Sequence, residues 1–198
     1  KGSKLHNHVC FKHNSKITPI RHYKEIKKAI SVLAKEINND FLSEKYVNLV
    51  PLLTGSMIFA ADLIRELECL SSGKWIVNPV ITTAYGSRYN ESIPEMTSSS
   101  DFSDKIKHDC KSIILDDLAD TGQTLELVQK NISSITKNEV LIAVLVDKKV
   151  FRTVNVPIKY RCFDYDGSDW LVGFGMDAEG FYRGAKCIGS IPVPKLVT

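Results

Sequence analysis

Apolar and polar positions along this chain recur in two periods, and the switches between them outline its elements. Ile26, Ile30, Leu33, Ala34 and Ile37 repeat at helical spacing between about His22 and Asn39, with Asn38 and Asn39 as C-terminal residues. Tyr46 to Leu53 reads as a strand, with Pro51 implying irregular pairing near its end. Thr54-Gly55-Ser56 then leads into a helix from Met57 to Leu67. Trp75 to Tyr85 reads as strand in two pieces around Pro79. Residues 86–107 lose all periodicity and are polar, so they read either as a lid or as a disordered insertion, and a long β-hairpin arm suits both. Val140 to Val146 is wholly apolar and ends at Asp147-Lys148-Lys149; Ile158 to Phe163 and Trp170 to Phe174 are further strand candidates. Strands alternating with helices predict an α/β domain with a mostly parallel central sheet flanked by helices.

The most informative stretch is Ser112 to Glu126. An apolar run, Ile113 to Leu115, stops at two adjacent acids, Asp116 and Asp117. Asp120-Thr121-Gly122-Gln123-Thr124 follows, and then Leu125, Val128 and Ile132 at helical spacing. This predicts a buried parallel strand, a polar loop at its carboxyl end, and a helix whose N-terminus opens on the loop. Unpaired helix N–H groups and threonine hydroxyls there suit a phosphate, and the carboxylates suit hydroxyls, a proton or a metal ion. A ligand belongs where the loops after Leu53, Leu115 and Val146 converge.

Composition narrows the picture modestly. The 198 residues fit one domain, residues 1–198, and the net charge of +3, spread along the chain, argues against a nucleic-acid partner. No apolar run reaches membrane-spanning length. The cysteines are five in number and lack CxxC spacing, which suits a reducing cytoplasm. His6, His8, Cys10 and His13 lie close together in the 1–20 arm, but their spacing fits no common zinc pattern, so a solvated arm or short edge strand is the better reading. Gly173 to Ala178 nearly matches a dinucleotide fingerprint, yet too little chain follows for the βαβ unit that motif needs.

Four motifs in order carry a family resemblance across most of residues 45–190. Ser112–Glu126 resembles the phosphoribosyl-pyrophosphate signature of type I phosphoribosyltransferases. Val50–Leu63, Val144–Lys148 and Trp170–Arg183 are similar to the pyrophosphate loop, the base-recognition lysine segment and the purine-stacking and pyrophosphate-arginine segment of the hypoxanthine-guanine phosphoribosyltransferases. The resemblance implies that family's fold, with a flexible lid at 86–107 and a small hood formed by terminal segments, 158–198 holding base recognition. It implies purine salvage: Mg²⁺-dependent transfer of 5-phosphoribosyl from phosphoribosyl pyrophosphate to N9 of hypoxanthine or guanine, by a homodimer or homotetramer.

The resemblance also implies roles. Asp116 and Asp117 would hold the ribose hydroxyls and touch Mg²⁺ through water, and Asp120, Thr121, Gly122, Gln123 and Thr124 would wrap the 5′-phosphate. Asp120 would also serve as general base at purine N7. Lys148 would donate to O6 of a 6-oxopurine, Trp170 would stack on the ring, and Leu171 and Val172 would line the base, the latter through its backbone. Asp177 would ligate a second Mg²⁺; Leu53, Thr54, Gly55 and Arg183 would hold pyrophosphate, with a cis peptide before Thr54. Tyr85 would begin the lid. The chain departs from the pattern at Thr54, commonly lysine; at Ala84, commonly serine; and at Trp170, commonly phenylalanine or tyrosine. A regulator that only senses the same ligands, and an enzyme acting on xanthine alone, stay open on sequence.

Overall fold

The structure is a computed structural model that describes residues 11, 16–85, 93–97 and 102–192. The elements are β1 (Thr18–Arg21), α1 (Tyr23–Asp40), β2 (Val47–Leu53), α2 (Met57–Leu70), β3 (Trp75–Val77), β4 (Val80–Tyr85), β5 (Ile93–Thr97), α3 (Phe102–Lys105), β6 (Ser112–Ala119), α4 (Gln123–Thr136), β7 (Val140–Lys148), β8 (Tyr160–Tyr165), β9 (Trp170–Val172) and β10 (Ile188–Ile191). A seven-stranded sheet runs β5-β4-β2-β6-β7-β8 with β3 also on β2, parallel except for the β4–β5 pair. β1, β10 and β9 form a separate antiparallel three-stranded sheet.

The apolar runs are continuous because the central strands are covered on both faces. Val47 and Leu49 of β2, Ile113 and Leu115 of β6, and Ala143 and Leu145 of β7 pack with α1 and α2. Their neighbours Val50, Ile114, Ile142 and Val144 pack with α4 and the α3 region. The period of two thus divides each run between two cores. Pro51 sits inside β2 rather than at a frayed end, paired with Leu115 on the β6 side. On the other side β3 leaves after Leu49 and β4 joins at Leu52, so the missing proline N–H falls in that interruption.

Three boundaries differ from the sequence reading. β6 does not stop at the acids: it pairs with β7 through Asp116↔Val144, Leu118↔Val146 and Ala119↔Asp147. β7 likewise continues through Asp147 and Lys148, both buried. β10 was not expected at all, because it is four residues long and one of its pairing partners, β1, is remote in sequence. The β4–β5 hairpin and α3 give structure to part of 86–107; residues 86–92 and 98–101 of the expected lid, and the His6, His8, Cys10 and His13 group, lie outside the described residues. Gly173–Ala178 forms turns closed by Gly173↔Met176 rather than a nucleotide-binding βα unit. Cys69, Cys110 and Cys162 are free thiols, and Cys187 is disulfide-bonded. No helix among the described residues is long and apolar enough to cross a membrane.

Candidate active site

The carboxyl ends of β6 and β7 open on a cavity of about 160 Å³ lined by Asp117, Leu118, Asp120, Lys148, Trp170, Leu171, Met176 and Asp177. Parallel strands end together, so side chains far apart in sequence converge there. The three-stranded sheet supplies the remaining wall through β9 and the turn after it.

Asp116 and Asp117 lie on the last stretch of β6, and the Asp117 N–H donates to Asp116 Oδ1 at 3.0 Å. Both residues are half-buried and ringed by protein atoms, and Asp117 borders the cavity. Loss of solvent pushes Asp116 well above the ordinary aspartate range, and the adjacent Asp117 charge adds to the shift. Desolvation raises Asp117 as well, partly offset by its hydrogen bond with Asp116 and by the Arg183 charge. Such a pair is primed for hydroxyl donors or for positive charge.

The loop after β6 turns through Gly122, whose φ of 87° starts α4 with Gln123. The Gln123 N–H reaches Thr121 Oγ1 at 3.5 Å. Here Thr121 to Thr124 stand at the free end of a 14-residue helix, as the sequence predicts.

Lys148 is only 1% exposed. Its ammonium donates to the Asp169 carbonyl at 3.1 Å, pairs with Asp120 Oδ2 at 3.5 Å, and lies 4.7 Å from the centre of the Phe151 ring. It is therefore no strand-end surface lysine; Lys149 next to it, 60% exposed and paired with Asp147 and Asp164, takes that position. A buried ammonium needs such partners, because an unpaired charge away from water is costly.

The third group is the turn after β9. The Trp170 indole N–H donates to the Asp177 carbonyl at 2.6 Å. Asp177 accepts the Gly180 N–H on Oδ2 and pairs with Arg183 through Oδ1 at 2.7 Å. Arg183 also donates to the Gly175 carbonyl at 2.7 Å. Gly175, at φ 110°, presses on the pyrophosphate-loop candidate: an added Cβ would run into the Gly55 carbonyl. Gly55 in turn has no room for a side chain, since a Cβ would sit 2.7 Å from the Asp117 carboxylate. The Leu53–Thr54 peptide is cis, and the Thr54 side chain is exposed.

The structure thus gathers Asp117, Asp120, Lys148, Trp170, Leu171 and Asp177 around one cavity, and brings Gly55 and Arg183 to its edge through Asp117 and Asp177. Val172 is fully buried in β9, with its side chain in the small core around Phe11 and Cys187. Sequence reading missed Asp169, Phe151, Asp147 and Arg152. The Asp147 signal was visible, an acid closing an apolar run; Arg152 had none, because two of its partners are backbone carbonyls about 30 residues away in sequence.

The fold and this meeting of a phosphate loop, paired acids and a buried lysine define a class. Residues 18–179 match the family model described as "Phosphoribosyl transferase domain". Hypoxanthine-guanine phosphoribosyltransferase of Dictyostelium discoideum is 28% identical, over 85% of this chain and 91% of that protein. Hypoxanthine phosphoribosyltransferase of Escherichia coli K12 is 30% identical, over 84% of this chain and 90% of that protein. A crystal structure of a Staphylococcus aureus hypoxanthine phosphoribosyltransferase shares the fold, with a TM-score of 0.79, 24% identity and coverage of 94% of this chain and 96% of that one. This chain belongs to the hypoxanthine-guanine phosphoribosyltransferases, within the phosphoribosyl transferase domain family.

Proposed function

We propose that this cavity transfers a 5-phosphoribosyl group from phosphoribosyl pyrophosphate to N9 of hypoxanthine or guanine, releasing pyrophosphate and IMP or GMP. The observation that carries this reading is the contact of Lys148 with Asp120 at 3.5 Å beside Trp170. A 6-oxopurine protonated at N7 presents an acceptor, O6, next to a donor, N7–H, on one edge. Lys148 is a fixed donor and Asp120 an acceptor, so the pair is complementary to that edge. Adenine would turn its 6-amino donor toward the Lys148 ammonium, donor against donor where O6 would accept, a mismatch that discriminates strongly.

As the bond from C1′ to pyrophosphate breaks, the leaving group takes the electron pair and C1′ becomes oxocarbenium-like. N9 supplies the pair for the new bond, and the N7 proton passes to the Asp120 carboxylate. Asp116 and Asp117 accept from the ribose hydroxyls, Thr121 to Thr124 hold the 5′-phosphate, and Thr54, Gly55 and Arg183 hold pyrophosphate. The region around Tyr85 acts as the lid, and the three-stranded sheet as the hood that carries Trp170, Leu171 and the Val172 backbone to the base. Asp177, with Asp116 and Asp117 through water, would hold Mg²⁺: the donors are hard oxygens, and since among the described residues no three such side chains gather closely enough to hold a metal by themselves, the ion would keep most of its waters. Bound there, Mg²⁺ supplies charge neutralisation for the departing pyrophosphate.

Self-association into a homodimer or homotetramer is part of the proposal, supported by exposed Met57, Val77 and Ile81 on α2, β3 and β4. A cytoplasmic setting is also part of it; the free thiols Cys69, Cys110 and Cys162 favour it and the disulfide at Cys187 weighs against it. The test is to incubate the protein with Mg²⁺, phosphoribosyl pyrophosphate and each of hypoxanthine, guanine, xanthine and adenine, and to separate the products. Nucleotide from hypoxanthine or guanine is expected; none from any base would leave a ligand-sensing protein instead.

A further inference from the structure

Arg152, in the segment that follows β7, makes four side-chain hydrogen bonds, three of them to backbone carbonyls. Its Nε donates to the Asp120 carbonyl at 2.7 Å. Its Nη2 donates to the Ala119 carbonyl at 2.9 Å and to Asp147 Oδ1 at 2.6 Å, with the Lys148 carbonyl at 3.4 Å. The next two residues continue the pattern: the Thr153 and Val154 N–H groups donate to the Thr121 carbonyl at 3.0 and 3.2 Å, and Thr153 Oγ1 reaches the same oxygen at 3.3 Å. Three successive carbonyls of the phosphate loop, Ala119, Asp120 and Thr121, therefore point at one strap, Arg152–Val154.

In a trans peptide the carbonyl and the following N–H point in opposite directions. Fixing those three carbonyls on the strap turns the N–H groups of Asp120, Thr121 and Gly122 the other way. Gly122 is held against the strap itself, since a Cβ there would lie 3.0 Å from Arg152 Cδ and from the Val154 carbonyl. The Arg152 side chain is 16% exposed, and its charge is met by Asp147 at 3%. A planar fork can serve several acceptors in fixed directions, whereas an ammonium on a flexible stem cannot hold that geometry.

We propose that Arg152 is a positioning residue which, through the backbone carbonyls, aims the phosphate-loop N–H groups at the 5′-phosphate. The inference rests on the proposed function, because it assigns the phosphate to that loop. Its signature is in the phosphate, because Arg152 is not among the residues that line the cavity and acts on the loop backbone from behind.

The test is calorimetric titration of IMP and of inosine into wild type, Arg152→Lys and Arg152→Gln, with melting curves to establish that each is folded. The variants should bind IMP about tenfold more weakly or worse, with inosine unchanged within about twofold, so that the advantage conferred by the phosphate shrinks. In steady state KM for phosphoribosyl pyrophosphate should rise far more than KM for hypoxanthine. If Arg152→Gln does not fold, Arg152→Lys, which keeps the charge opposite Asp147, decides. An IMP-to-inosine affinity ratio equal to wild type in a folded variant overturns the positioning role and leaves the site reading standing. Wild-type protein that binds no IMP overturns the site reading instead.

Discussion

Asp120 and Lys148 pair at 3.5 Å, and each leaves the other exposed to a penalty when removed. Asp120→Asn keeps the shape and loses the proton acceptor. It should lower kcat by about 10²–10⁴-fold with a much smaller change in KM for phosphoribosyl pyrophosphate; an unchanged kcat in steady-state assay removes Asp120 from proton transfer. Lys148→Ala should lower kcat/KM for hypoxanthine by about 10–100-fold, the scale of a lost charged hydrogen bond. It should also bring the affinities of IMP and AMP closer in a competition assay, and a preserved gap would mean O6 is read elsewhere. Asp116 yields a prediction with a defined sign. Its carboxyl is raised above the ordinary value, so the folded state holds the proton more tightly than the unfolded chain. The ionised form therefore destabilises the fold above the raised value, and the penalty fades as pH falls through it. In metal-free buffer Asp116→Asn should melt higher than wild type at neutral pH, by roughly 2–4 °C for each kcal/mol relieved. The gap should narrow toward acid pH, and a lower melting point at neutral pH would contradict it. The acids and lysine were legible in sequence because each follows an apolar run. Their contacts with one another were not, since Asp120 and Lys148 come from different strand ends.

At the scale of elements, the β9 turn shows how one residue type changes what a segment does. Relatives of the resembled pattern stack a purine on phenylalanine or tyrosine; Trp170 adds an indole N–H, and this N–H is spent on the Asp177 carbonyl at 2.6 Å. The proposed base platform and the proposed pyrophosphate side of the site are thereby joined through Asp177 and Arg183. Trp170→Phe keeps an aromatic face and breaks the link. Purine affinity should change by no more than about threefold, while pyrophosphate and Mg²⁺ should bind about three- to tenfold more weakly, as expected for one neutral hydrogen bond. Titration of pyrophosphate with Mg²⁺ checks this; weakened purine binding alone would make Trp170 a stacking ring only. Most elements were legible from periodicity, because central strands buried on both faces read as uninterrupted apolar runs and α1, α2 and α4 carry one apolar stripe each. β1 and β10 were not predicted as a pair, since four-residue strands have too few positions to show a period and their register is set by a partner about 170 residues away. The extension of β6 through its acids was hidden for another reason: polarity there reflects the cavity and not the end of pairing with β7.

For the whole molecule the decisive feature is the joint between the two sheets. The small sheet is anchored in the main core, where Leu171, Phe174, Met176 and Ile188 pack with α1 and α2 residues. Its working contact with the large sheet is a stack of three groups, Asp117 against Gly55 and Gly55 against Gly175, in which no added carbon fits. Asp117, the Thr54–Gly55 turn and the turn after β9 are thus placed relative to one another by close contact, side chain on backbone at Gly55 and backbone on backbone at Gly175. Three glycines separate the causes of damage here. Gly184 has open space and an ordinary φ, Gly180 has open space at φ 83°, and Gly175 has φ 110° together with the Gly55 carbonyl in its way. Gly184→Ala should be neutral in both melting point and activity. Gly180→Ala should show the backbone penalty alone, about 1–2 kcal/mol, the left-handed cost for a residue with a Cβ. Gly175→Ala must in addition push the two sheets apart at the reacting centre, where a displacement near 1 Å can lower the rate about 10²-fold. Its loss of kcat/KM should therefore exceed what its melting point accounts for, and the loss in Gly180→Ala should not. Equal behaviour of the two variants in melting and steady-state assays would show that the joint is compliant and that the site is set within the large sheet alone.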